Sequence, residues 1–288
     1  MTYYDNLIET LSKNNDKMTR LSNIINPFSM YYLCDHYYGA DELHRFNIPI
    51  PNNKHNLLAT NNLSLIKDYD IIHVPVDFFN KFCSEVLDRI NKKFILTTGK
   101  NYLPQLHKNQ FTEKILQHPN VILWLSQNPI YENGPKYIAF PYGIADTALE
   151  EYSNALLRGP SEKNKDIEHL HLHITNPCRE KLPKLERIPI DTFYTKMAKS
   201  KFILSPIGDR DDCHRHYEAI GLGTIPISNV NTYLKTIFED NMYYCNIDEM
   251  SQILSTNQIN CNYSMPNKDL ICFNYYKDKI HKIISAFL

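Results

Sequence analysis

The stretch richest in chemistry is residues 200–229, SKFILSPIGDRDDCHRHYEAIGLGTIPISN. An apolar strand ends near Leu204, and Ser205-Pro206-Ile207-Gly208 forms a turn before a helix that starts near Asp212. Main-chain N–H groups in such a turn, followed by the amino end of a helix, make a natural anion site, because unpaired donors and the helix dipole both favour negative charge. Arg215 falls in the first helical turn, where its planar fork matches phosphate oxygens. Glu218, three residues on, shares its helix face, and a carboxylate there can accept both hydroxyls of a ribose. Phosphate, guanidinium and diol-binding carboxylate together describe a site for a nucleoside diphosphate. The same spacing also fits a solvated helix face with a weak salt bridge, and spacing alone does not separate the two.

Glycine usage points to the same place. The chain has eight glycines in 288 residues, well under the usual frequency of about 7%. Three of them (Gly208, Gly221 and Gly223) lie between positions 208 and 223. A glycine-poor chain concentrates the residue where backbone geometry demands it.

The pattern S-K-F-x-L-S-P-x-G at 200–208, C-H-R-x-x-E-A at 213–219 and G-x-I-P-I at 223–227 resembles the signature of exostosin-type glycosyltransferases, family 47 of that class. His118-Pro119-Asn120 through Trp124, Gln127-Asn128 and KYIAFPYGI at 136–144 are similar to the family's strand pair, and Thr175-Asn176-Pro177-Cys178-Arg179 to the turn opening its nucleotide lobe. The likeness spans residues 118–255. It implies an α/β protein of GT-B type, with two Rossmann-like lobes and a final helix crossing back onto the first. It also implies an inverting transfer of sugar from a nucleotide diphosphate donor, UDP-linked and with xylose as the first candidate, to a glycan hydroxyl. The resemblance puts Arg215 and Glu218 at the donor, with Ser205 beside them, Arg179 near the diphosphate and Gly208 in the phosphate-side loop. It implies no tightly bound cofactor and does not require a divalent cation.

Two features depart from the family pattern. Ile207 stands where many relatives carry a basic residue, which removes one phosphate contact. Asp209, Asp211 and Asp212 crowd the helix start, where carboxylates suit the dipole but repel a diphosphate. An N-cap role for one of them, or a cation bridging carboxylate and phosphate, would each reconcile this.

An inverting transfer needs a base for the acceptor hydroxyl, expected from a strand end in the first lobe. Asp77, Asp35, His36 and His73 qualify by position, and Asp77 is the candidate taken forward; helix capping explains Asp77 equally well. His73 reads as a core histidine. His169, His171 and His173 alternate on one strand face, which reads as polar surface rather than a metal set for want of a placed carboxylate or cysteine partner. The twenty tyrosines read mainly as amphipathic packing residues, and Trp124 as buried in a strand.

These residues need a framework, and the pattern supplies one. Strands are expected at 29–34, 70–76, 93–98, 121–125 and 136–140, with a helix over 78–91 whose Phe79, Phe82, Val86, Leu87 and Ile90 keep helical spacing. The second half repeats the alternation: strands at 169–175, 201–204, 224–228 and 241–245, helices at 190–199, 212–222, 251–254 and 273–288. Alternation of this kind gives parallel sheets wrapped by helices. The division between lobes is expected near residue 160, with 161–165 as linker, so that 1–160 form the acceptor lobe and 161–288 the nucleotide lobe.

Composition narrows the function classes. Lys+Arg is 31 and Asp+Glu 32, a formal charge of −1. Neither nucleic acid nor an anionic membrane is an expected partner, since both need a basic excess. No run approaches the ~18 apolar residues of a membrane helix, and MTYYDNLIETLSKNNDKMTR is not a secretory signal. Seven scattered cysteines without a CxxC pair argue against a disulfide framework and against a zinc site. The expectation is a cytoplasmic enzyme. Compact soluble members of the family occur in large algal viruses, which makes a viral setting a further expectation. The alternative is a non-catalytic sugar-nucleotide or glycan binder on the same fold. A hydrolase ranks last, because no G-x-S-x-G elbow or G-x-x-x-x-G-K-[ST] loop is present.

Overall fold

Six strands of one half and four of the other form two separate parallel sheets in the computed structural model. It describes residues 1–39, 48, 54–99, 106–159, 167–170, 182–183, 187–208, 210–259 and 261–287. The six-stranded unit comprises Pro27–Tyr142 and Lys279–Leu288, and the four-stranded unit Met1–Asn26 and Gly143–Asp278.

In the six-stranded unit the strands are β1 (His36–Tyr37), β2 (His55–Asn56), β3 (Ile71–Pro75), β4 (Phe94–Gly99), β5 (Val121–Ser126) and β6 (Tyr137–Ala139). Their order is β2-β1-β3-β4-β5-β6, all parallel. β3 and β4 are buried at every position, as expected of runs such as Ile71-Ile72-His73-Val74 covered on both faces. The helix Val76–Glu85 follows β3 and lays Phe79, Phe82 and Cys83 onto the core. Trp124 is buried in β5, as expected. It stacks on Phe79 at 5.7 Å, meets Tyr137 edge-on at 4.9 Å, and donates its indole N–H to Thr98 Oγ1 at 2.9 Å.

Two local expectations fail here. Residues 29–34 form a short helix, Ser29–Leu33, instead of a strand. The segment has no β-branched residue to favour a strand, and one helical turn buries Met30, Tyr31 and Leu33 together. The helix expected to run on to residue 91 stops at Glu85. Val86 leaves helical geometry at φ −121°, and a 3₁₀ turn, Leu87–Arg89, completes the apolar spacing.

In the four-stranded unit β7 (Ile167–Leu170), β8 (Ser200–Leu204), β9 (Ile225–Ser228) and β10 (Tyr243–Tyr244) are parallel in the order β10-β9-β8-β7. Phe202, Leu204, Ile225 and Ile227 pack with Leu182, Met250 and Ile253. Three distant passages of chain meet at Ile25: its amide donates to Ile271 O at 2.9 Å, and its carbonyl accepts from the Ile144 amide at 2.8 Å. Gly143, at φ +82°, permits this crossing, because a Cβ there would overlap the Ile25 carbonyl.

The grouping differs from the division expected near residue 160. The helix Leu149–Arg158 packs against Tyr3–Lys13, Lys17–Asn23 and Ile190–Ala198, so the first 26 residues join the later part of the chain. The last helix, Phe273–Ser285, belongs to the four-stranded unit through Asp278 and to the six-stranded unit from Lys279. Residues 160–166 lie outside the described residues. Among the described residues no helix is long and apolar enough to cross a membrane.

Candidate functional site

β8 delivers the chain to the site. After Leu204 the Ser205 amide donates to Ile227 O at 2.8 Å, continuing the pairing with β9 past the strand end. The loop then folds on its own polar groups. The Ile207 amide donates to Asn229 Oδ1 at 3.0 Å, the Gly208 amide to Arg210 O at 3.1 Å, and the Cys213 amide to His216 Nδ1 at 3.3 Å. Three loop amides, those of Ile207, Gly208 and Cys213, are thus already engaged within the unit. Capacity for an anion rests instead on Arg215 and the amino end of the helix His214–Gly221.

The helix begins at Cys213, which holds the N-cap position with extended geometry. Neither Asp211 nor Asp212 caps it, contrary to one expectation. Asn231 Nδ2 donates to Asp211 Oδ2, and the Tyr217 hydroxyl donates to Asp212 Oδ2 at 2.8 Å. Each carboxylate is held by a partner within the unit, and this eases the crowding read from the sequence. Burial raises the Asp211 pKa, the Asn231 bond lowers it and neighbouring Asp212 raises it further. Asp209 lies outside the described residues.

His216 locks the loop to the sheet. Because Nδ1 accepts the Cys213 amide, the ring proton sits on Nε2, where it reaches Ser205 O at 2.9 Å and Ser228 Oγ at 3.0 Å. His214 points elsewhere, its Nδ1 donating to Gly143 O at 2.6 Å, and burial lowers its pKa. Gly223 follows the helix at φ +73°, a left-handed turn that glycine adopts without strain.

Glu218 is buried, with 8% of its surface exposed. The Tyr194 hydroxyl donates to its Oε1 at 3.0 Å. Burial raises the Glu218 pKa, while the Arg215 charge and the Tyr194 hydrogen bond lower it. Arg215, half-buried, lies over the Phe193 ring at 5.5 Å, within cation–π range. Ser205 Oγ is fully buried and has no hydrogen-bond partner among the described residues. Buried hydroxyls are ordinarily paired, so this one stands out.

Ser205, Gly208, Arg215 and Glu218 therefore occupy one strand–loop–helix segment. Arg179 and the Thr175–Arg179 turn lie outside the described residues, as do His171 and His173; His169 is on β7. Phe193, Tyr194 and His216 contact this segment, and nothing in the sequence singles them out. Phe193 and Tyr194 belong to the helix Ile190–Ala198, which apolar spacing identifies without marking any residue on it as functional.

The base candidates separate clearly. β1 starts at His36, so Asp35 and His36 sit at the amino end of the sheet, away from the carboxyl edge where ligands bind in open α/β sheets. Asp35 Oδ2 accepts the Ile71 amide at 2.9 Å, and His36 Nε2 lies 2.8 Å from Asp70 Oδ2. His73 is buried in mid-strand, its Nδ1 2.9 Å from Thr97 Oγ1, as a core histidine should be. Asp77 is exposed at the carboxyl end of β3, beside the point where strand order reverses between β1 and β3. It is in the first turn of Val76–Glu85 with Pro75 at the N-cap, so it does not cap the helix.

Among the described residues no group of three or more His, Cys, Asp or Glu side chains is placed to hold a metal ion. A scan against protein-family models returns no match to this chain, and a search of curated proteins returns none either.

Proposed function

We propose that this protein is an inverting, nucleotide-sugar-dependent glycosyltransferase of the exostosin-like, GT-B type, taking a UDP-linked donor, with xylose as the first candidate sugar, to a glycan hydroxyl. In the reaction the acceptor oxygen attacks the anomeric carbon as the bond to the diphosphate oxygen breaks. The acceptor proton passes to a base, for which Asp77 is the candidate. Arg215 and the helix amino end stabilise the negative charge growing on the leaving diphosphate, and Glu218 accepts the ribose hydroxyls.

The observation that supports this reading most is Glu218. A carboxylate withdrawn from water is costly unless something repays its desolvation. Glu218 is buried with Arg215 one turn before it and only one hydrogen bond to its side chain among the described residues. A pair of ribose hydroxyls supplies the missing donors.

A panel of UDP- and GDP-sugars tests the proposal by thermal shift and by slow donor hydrolysis. A stabilising shift accompanied by hydrolysis is expected. Glu218→Ala, correctly folded, should bind UDP about tenfold more weakly, the loss expected for hydrogen bonds to a charged group. Unchanged UDP affinity in that variant removes Glu218 from the site.

The second reading is a non-catalytic sugar-nucleotide binder. It is favoured by Asp77 itself, whose place in a first helical turn is accounted for by the helix dipole alone. Binding without turnover, after acceptor glycans are supplied, selects it.

A further inference from the structure

We propose that the adjacent residues Phe193 and Tyr194 are positioning residues that divide the recognition of a ribonucleoside diphosphate. Tyr194 aims Glu218 at the ribose hydroxyls, and Phe193 holds the Arg215 guanidinium toward the diphosphate. The inference rests on the nucleotide-donor reading above and adds to it the groups that set its preference for ribose over deoxyribose.

Tyr194 has 1% of its surface exposed. A phenol carries one donor proton, and this one is directed to Glu218 Oε1 at 3.0 Å. Among the described residues no side chain hydrogen-bonds the second carboxylate oxygen. Fixing one oxygen fixes the plane of the carboxylate, and so the direction in which the other presents its lone pairs.

The phenol ring is itself held. It meets Tyr152 edge-on at 5.4 Å and Phe193 at 5.5 Å. The Tyr152 hydroxyl reaches the carbonyls of Tyr217 and Glu218, each at 3.2 Å. One tyrosine thus fixes the Glu218 backbone and another its side chain. Phe193, next along the same helix, puts its ring face 5.5 Å from the Arg215 guanidinium carbon. Such a contact restrains a guanidinium without consuming its N–H donors.

The two contacts therefore make separable predictions. The site built on Glu218 is matched to two ribose hydroxyls, and removing one leaves a buried carboxylate short of a donor, a mismatch that binding sites reject strongly. The contact on Arg215 concerns phosphate only.

Titration calorimetry with UDP, 2′-deoxy-UDP and uridine reads both. Wild-type protein is expected to bind UDP about tenfold more tightly than 2′-deoxy-UDP. Tyr194→Phe should bring that ratio to within about twofold while leaving the UDP-to-uridine ratio unchanged. Phe193→Leu should do the reverse. In a Glu218→Ala background, Tyr194→Phe should have no further effect on the ribose ratio, because the phenol acts through Glu218.

A purely structural role would weaken all three ligands in proportion and leave both ratios intact; that result overturns the inference while the nucleotide reading stands. Failure of wild-type protein to bind either UDP or GDP overturns both. Wild-type crystals soaked with UDP give an answer without any variant. Glu218 is expected to keep one oxygen on the Tyr194 hydroxyl and place the other on the ribose, and ribose hydroxyls held by any other group overturn the assignment.

Discussion

The carboxyl edges of the two sheets differ in the charge they bury. In the six-stranded unit the buried polar side chains past the core are neutral; several are paired, while Asn128 Oδ1 has no hydrogen-bond partner among the described residues. The Trp124 indole donates to Thr98, the Thr98 hydroxyl donates to Ser126 Oγ at 3.2 Å, and Gln127 Nε2 donates to Pro141 O at 3.1 Å. In the four-stranded unit the chain leaving β8 buries the carboxylates of Asp212 and Glu218 and leaves the Ser205 hydroxyl without a partner among the described residues. A parallel strand can evidently end without buried charge. Where the fold accepts the cost of desolvating carboxylates, a ligand is the natural compensation.

Three experiments would break or sharpen that contrast. The largest effect is expected from Thr98→Val. It strips the buried Trp124 indole N–H of its acceptor, which costs about 2 kcal/mol, read as a lower midpoint in thermal unfolding. UDP affinity should not change, and a loss of affinity would erase the distinction between the two edges. Ser205→Ala should behave oppositely. Removing a hydroxyl that has no partner leaves stability unchanged or raises it by up to about 1 kcal/mol, while UDP binding weakens severalfold by calorimetry. A destabilised variant with normal UDP affinity would make Ser205 a structural residue.

The smallest effect is in pH dependence. Burial raises the Glu218 pKa in the folded state, so the fold holds that proton more tightly than the unfolded chain does. Its contribution to stability is therefore complete below the ordinary glutamate value of about 4.3 and is lost as pH rises through the folded value. Nucleotide affinity should run the other way, rising as the carboxylate ionises and can accept ribose hydroxyls. A UDP-sugar is the suitable probe, because its diphosphate does not titrate in this range. Glu218→Gln should flatten both profiles; a surviving midpoint would assign the titration to another group, of which Asp211, raised by the same cause, is the first to examine.

Periodicity and composition made much of the framework legible. Apolar runs such as Phe94-Ile95-Leu96 and Val121-Ile122-Leu123 read as buried strands, and they appear as β4 and β5. The segment 200–229 also resolves into strand, loop, helix and strand as its glycines indicate. What stayed hidden depends on contacts distant in sequence. Ser-Met-Tyr-Tyr-Leu carries strand-like aromatic character, and only tertiary packing turns it into a helix. The two-residue strand β1 was too short for alternation to reveal, and its omission put Asp35 and His36 at the wrong end of the sheet. The grouping of residues 1–26 with the later chain leaves no local signal, because it is written in how Leu149–Arg158 packs. Phe193 and Tyr194 look like ordinary apolar helix residues until Arg215 and Glu218 are brought against them.

The crossing at Ile25 imposes a schedule on biosynthesis. The first two helices leave the ribosome early, but Ile144 and above all Ile271, which hydrogen-bond to either side of Ile25, are delivered much later. Every residue from 27 to 142 is available before the four-stranded unit can close. Pairings this far apart in the chain are slow to form, and a nascent polypeptide halted short of Ile271 would hold its opening helices beside an unfinished seam.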